Sequence, residues 1–260
     1  MTWVIGRAGP FGYAVGVSDI RVTLGNGAEH DCLQKIYRIG TQLVLGFAGS
    51  VAIGFEIVNQ LSEVLHTTEK DMAWNPIIVA ENLPKGTQEL YNSFPSVQKA
   101  LGCQLILLAA HPSENDGSAP WARCYVYRFS APEFRPILAR QAQIVSIGSG
   151  ANIEPYKKAL GKFEKDFEMF KLETMMFGGA ALGLMTSVSS ELRKIPVHGI
   201  SNHVHVCIVS REGIQIGQND RKVSENPEED FVMPPVARSL EELKELLSNE
   251  STSTIEQARC

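Results

Sequence analysis

The sequence predicts an α+β protein, and three observations carry that prediction. Strand-like and helix-like stretches come in segregated runs rather than in alternating βαβ units. The apolar period changes from two to helical spacing after Gly49 and returns to strand character at Cys103. The chain has 260 residues, 44% hydrophobic and 20% charged, which suits a globular protein with a sizeable core.

In order along the chain, Trp3 to Ala8 is apolar and branched, Gly9-Pro10 signals a turn, and Gly12 to Val17 reads as a second strand. Arg21 to Leu24 runs into Asn26-Gly27, a strong turn dipeptide. Lys35 to Ile39 and Leu43 to Phe47 read as two short strands joined near Gly40. Val51, Phe55, Val58, Leu61 and Leu65 then recur at helical spacing, with Ser50 placed to cap them. Pro76 to Tyr91 is helix-like, but Pro84 and Gly86 predict two short pieces or a kink. Cys103 to His111 and Ala122 to Ser130 are strands around a polar loop, Pro112 to Pro120. Ile144 to Ile147 is a short buried-type strand ending at Gly148-Ser149-Gly150. Asn152 can cap a helix reaching about Lys171, with Pro155 in its first turn, and a second helix is predicted within Ala180 to Lys194. The last hairpin is His203 to Ser210, a turn at Arg211-Glu212-Gly213, and Ile214 to Gly217.

The charge is uneven. Net charge is −5, yet Ser224 to Cys260 holds nine acids and three bases, so the first 223 residues carry about +1. Two segments follow: a body over 1–223 and an acidic extension over 224–260. The extension reads as extended or partly helical, with a short amphipathic helix from Ser239 to Ser248 that uses Leu240, Leu243 and Leu247. Its acids Glu241, Glu242 and Glu245 form a solvated face. No basic footprint for nucleic acid or an anionic membrane is present.

The N-terminus lacks a basic stretch followed by an apolar run, and the longest nearly apolar run, Met175 to Met185, is too short to span a bilayer. The five cysteines are widely spaced without a Cys-x-x-Cys, which argues against both a thiolate zinc site and a disulfide framework. A reducing cytoplasm is the expected location. His203 and His205 share a strand face, but the sequence offers no third ligand beside them.

The chemistry begins at Thr2. A small second residue predicts removal of Met1, which leaves an N-terminal threonine. A free α-amine titrates near pH 8 and can serve as base to its own hydroxyl. Downstream lie Ser18-Asp19-Ile20-Arg21-Val22-Thr23, then Lys35 heading a strand. Gly46-Phe47-Ala48-Gly49-Ser50 and Gly148-Ser149-Gly150 each end a strand and open a helix. In this order and spacing the residues resemble proteasome β-type subunits. They are especially similar to the peptidase of the bacterial two-component ATP-dependent protease, which also carries Thr-Leu-Gly-Asn (here Thr23 to Asn26) and Gly-Phe-Ala-Gly (here Gly46 to Gly49).

The resemblance spans about Thr2 to Gly217 and implies a four-layer αββα sandwich of two antiparallel sheets flanked by helices, the fold of N-terminal nucleophile hydrolases. It implies Thr2 as nucleophile and base, Lys35 as the cation beside Oγ, Asp19 as its partner, and Ser149 as a proton relay at the amine. The Gly49 N–H would stabilise the oxyanion. Thr23 would bind the substrate backbone as an added strand, and Gly46 would leave room in the first specificity pocket. No cofactor and no metal are implied. The implied activity is threonine-type peptidase in a self-compartmentalised homo-oligomer, ring or helical stack, acting on unfolded polypeptide supplied by an ATP-dependent unfoldase. Two alternatives share the fold: a non-catalytic structural subunit and a small-molecule amidase. One departure stands out. The family carries an aspartate near the start of the last hairpin, and the matching positions here hold His198 or Pro196.

Overall fold

The computed structural model describes residues 2–9, 12–67, 74–112, 123–140, 143–158, 160–161, 199–218 and 232–257. The expected loop at 112–120, the helix within 180–194 and the positions of Pro196 and His198 fall almost entirely outside these residues.

The α+β class holds, and the sheets are antiparallel. The first sheet has the order β10-β1-β2-β11-β12: β1 is Val4–Ala8, β2 Tyr13–Asp19, β10 Ile144–Ile147, β11 Val204–Ser210 and β12 Gly213–Gln218. The second has the order β5-β6-β7-β8-β9: β5 is Ile36–Arg38, β6 Leu43–Gly49, β7 Cys103–Ala110, β8 Cys124–Ser130 and β9 Ile137–Leu138. A separate ribbon pairs β3 (Arg21–Thr23) with β4 (Glu29–Asp31), and Gly27 takes positive φ in its turn.

Alternation along the strands builds the layers. Val4 of β1 and Val44 and Ala48 of β6 point between the sheets, where they meet Ile36, Ile106, Leu108, Val126 and Val209. Leu43, Leu45 and Phe47 point the other way, into a cluster with Phe55, Leu105, Leu107 and Phe129. Helices α1 (Val51–Thr67) and α2 (Pro76–Ser93) cover that outer face, followed by the short α3 (Ser96–Ala100). Ile5, Val15, Val17 and Val206 form the outer face of the first sheet and pack against Tyr156 and Ile200. Burial on both faces is why these strands read as nearly continuous apolar runs.

Two sequence expectations need correction. α2 runs unbroken through Pro84, which sits inside it. Val79, Ala80, Leu83, Thr87 and Tyr91 are buried on either side of the proline, so packing outweighs the lost N–H donor. The helix expected after Asn152 has helical residues from 154, with Pro155 in its first turn, after a 3₁₀ turn at Ser149–Asn152; its stretch from 162 to 171 lies outside the described residues. The C-terminal helix α4 spans Leu240–Gln257 and extends well beyond Ser248.

The segment ahead of α4 is tied to the body. Ala237 N–H donates to the Cys32 carbonyl at 2.7 Å, and Gln34 N–H donates to the Ala237 carbonyl at 3.0 Å. Ser239 caps α4 by accepting from Glu242 N–H, while the Glu242 carboxylate accepts from Arg238 N–H at 2.7 Å. Leu243 is buried, and Leu240 and Leu247 pack beside it against the second sheet's outer cluster. Among the described residues no helix is long and apolar enough to cross a membrane.

Candidate active site

Thr2 lies at the head of β1, in the interior of the first sheet, and is fixed from both sides. Its N–H donates to Ser149 Oγ at 3.0 Å, and its carbonyl accepts from Gly150 N–H at 3.1 Å. This approach needs glycine at 148: φ is +82°, and a Cβ there would collide with the Thr2 carbonyl oxygen. The Gly148 N–H is itself held by Gln104 Oε1 at 2.8 Å. The next residue, Trp3, stacks on Tyr156 with ring centroids 4.6 Å apart, and its indole N–H donates to Ser146 Oγ at 2.9 Å. The strand start is therefore anchored by packing as well as by the ladder.

Asp19 ends β2 beside this anchor and is fully buried. One carboxylate oxygen, Oδ1, accepts from both Trp3 N–H at 2.7 Å and Lys35 Nζ at 2.9 Å. The other, Oδ2, accepts from Arg21 N–H at 3.0 Å. Lys35 is 1% exposed and also donates to the Arg21 carbonyl at 2.5 Å. The shared oxygen puts the ammonium one peptide unit from Thr2. Burial pushes the Lys35 pKa down, and the charge and hydrogen bond of Asp19 oppose that shift.

The Arg21 side chain serves a second cluster instead of Asp19. It pairs with Asp31 at 2.6 Å and Glu29 at 3.0 Å, which locks the β3–β4 ribbon. Ser201 Oγ donates to Asp31 Oδ2 at 2.7 Å, and His203 Nδ1 lies 3.8 Å from the same oxygen. Burial alone raises the Asp31 pKa, but His203, Arg21 and Ser201 together hold it well below the usual carboxylate range. Among the described residues no three His, Cys, Asp or Glu side chains are grouped to hold a metal ion.

A cavity of about 780 Å³ opens over this anchor. Thr2, Thr23, Gly49 and Ser149 all line it. Asp19 and Lys35 lie beneath, out of solvent. Gly49 has φ +101°, and any side chain there would collide with the Gly102 carbonyl. Just past it, Ser50 Oγ accepts from Ile53 N–H at 3.4 Å at the start of α1 and donates to Gln98 Oε1 at 2.7 Å.

Gly46 is placed differently from the sequence expectation. It does not line the cavity but faces the gap between the sheets, where a Cβ would come within 2.9 Å of both Ile106 Cγ2 and Val4 Cγ1. The space its missing side chain leaves is filled by the opposite sheet. Ala48, two residues nearer the strand end, is the member of that face that reaches the cavity.

Sequence reasoning missed Gln104, Ser146, Tyr156 and Asp31, and it weighed His203 only as half of a metal pair with His205 rather than as a neighbour of Asp31 and Ser201. None of these contacts has a motif, and only the fold brings the residues to Thr2 or to the ribbon. The arrangement brings together a threonine hydroxyl just ahead of β1, a serine on the Thr2 nitrogen and a glycine turn at one cavity, with a buried cation one peptide away beneath it. No protein-family model matches this chain, and no curated protein sequence matches it.

Proposed function

We propose that this protein is a proteasome-like threonine-type peptidase of the N-terminal nucleophile class, with the four-layer αββα sandwich of that class. The observation that carries the reading is the contact of the Thr2 nitrogen with Ser149 Oγ, directly beside the buried Asp19–Lys35 pair and open to the cavity.

The chemistry begins when Met1 is removed, which turns the Thr2 nitrogen from an amide into a basic amine. That amine takes the proton of Thr2 Oγ, and the oxygen attacks the substrate carbonyl. Lys35 stabilises negative charge developing on Oγ, and Asp19 holds the ammonium in place. The tetrahedral oxyanion accepts from backbone N–H at Gly49. Collapse breaks the C–N bond, and the leaving amine receives the proton held by the α-ammonium. Water, deprotonated by the same amine, then hydrolyses the ester and regenerates the hydroxyl. Ser149 keeps the amine oriented between the two half-reactions. Thr23, on the ribbon clamped by Arg21, offers its backbone to an extended peptide. The reading includes a cytoplasmic homo-oligomer, as ring or helical stack, that encloses unfolded polypeptide delivered by an ATP-dependent unfoldase.

The test is intact mass spectrometry of the purified protein after treatment with a peptide epoxyketone, which needs both the amine and the hydroxyl of an N-terminal threonine. The expected result is loss of Met1 and one adduct per chain, with no adduct on Thr2→Ala. Retention of Met1 with no adduct would overturn the reading and favour a non-catalytic subunit on the same fold.

A further inference from the structure

The C-terminal helix reaches the same cavity as Thr2. Leu240 and Leu243 of α4 line it together with Leu33, Val51 and Ala52. Val51 and Ala52 follow Gly49 at the start of α1, within three residues of the proposed oxyanion donor. Leu33 lies two residues before Lys35, and its neighbours Cys32 and Gln34 make the two backbone hydrogen bonds that hold Ala237. The capped first turn of α4 fixes Leu240 and Leu243 relative to that strap. Leu243 is 5% exposed, whereas Leu240 is half-buried and so retains a face toward the cavity. Gly46, by contrast, is sealed between the sheets.

We propose that α4 is a specificity element: Leu240, backed by Leu243, forms the movable-size wall of an apolar subsite that takes the substrate side chain nearest the scissile carbonyl. This inference rests on the peptidase reading. Around Leu240 the lining includes the aliphatic Leu33, Val51, Ala52 and Leu243, while Arg21, which lines the same cavity, is already paired with Asp31 and Glu29, so the subsite selects an apolar residue over a charged one. Desolvating a charge against leucine and valine carries a large cost. Shortening Leu240 enlarges the subsite, and lengthening it fills the space. A hydrophobic pocket discriminates about tenfold or more for each methylene-sized change.

The experiment measures second-order inactivation by three peptide epoxyketones that differ only in the residue next to the warhead: alanine, leucine and naphthylalanine. The proteins are wild type, Leu240→Ala, Leu240→Trp and, as an exposed control on the same helix, Lys244→Ala. Leu240→Ala is expected to shift the naphthylalanine-to-leucine rate ratio upward by about tenfold. Leu240→Trp is expected to shift preference toward alanine, and Lys244→Ala to leave all ratios as in wild type. Because Leu240 is only half-buried, Leu240→Trp keeps the test informative if Leu240→Ala folds poorly. Ratios unchanged in both Leu240 variants, with wild type reactive, overturn the role of α4 and leave the peptidase reading standing. A wild type that reacts with none of the three probes overturns the peptidase reading and the subsite with it.

Discussion

Asp19 accepts hydrogen bonds from Trp3, Arg21 and Lys35 while fully buried, and among the described residues the side-chain cation paired with it is Lys35. Removing that cation leaves an uncompensated charge in the interior. Lys35→Ala is therefore expected to destabilise the fold by about 3–5 kcal/mol, measured by urea unfolding, besides abolishing adduct formation. Gly49→Ala should cost about 1–3 kcal/mol, because a side chain must adopt positive φ and displace the Gly102 carbonyl. Asp31 contributes stability that acid removes. Its folded pKa lies below the unfolded value, so its contribution is full above the ordinary carboxylate range and fades as pH falls through and below it. Asp31→Asn is expected to flatten the loss of thermal stability between about pH 4 and more acidic conditions, with little gain in slope at neutral pH.

At the scale of elements, the strands around the site could be read because each alternates between two buried faces. Asp19 and Lys35 were legible only through the resemblance carried by Ser18 to Thr23 and Lys35 to Ile39, since each alone reads as an ordinary surface charge. The short β4 and β9 could not be read: three and two residues respectively gain strand geometry only from their partners. The Asp31–Ser201 contact joins positions 170 apart, and nothing periodic connects them. Pro84 misled in the opposite sense, since local propensity predicted a break that tertiary packing overrides. Pro84→Ala should restore a helix donor and raise stability by up to about 3 kcal/mol, read as a shift in urea midpoint at constant m-value. The extent of α4 was underestimated because residues beyond Ser248 carry few apolar side chains. Its first turn is fixed by the strap and the Ser239 cap rather than by amphipathic pattern alone.

Across the whole molecule, two sheets share one interior layer, and the cavity opens where the ends of β6 and β10 meet the start of β1. The residues that do the proposed chemistry come from both sheets, so the site exists only once the sheets are packed. Cleavage should accordingly be lost in one step with global unfolding, with activity and far-UV signal following the same urea curve. Native mass spectrometry is expected to show a multi-copy assembly that degrades an unfolded casein-like chain and spares a folded globular protein. Activity retained in an isolated monomer against folded substrates would argue for the amidase or open-site alternative.

The hold on Thr2 from Ser149 and Gly150 has a practical consequence for handling the protein. The nitrogen of Thr2 donates to a serine that lines the cavity, and on the proposed reading that nitrogen acts as a base only when nothing is joined to it. On that reading a hexahistidine leader or fusion partner placed ahead of Thr2 would keep that nitrogen an amide, and the preparation would look inert for want of the base alone. An affinity handle belongs at the other end, after α4.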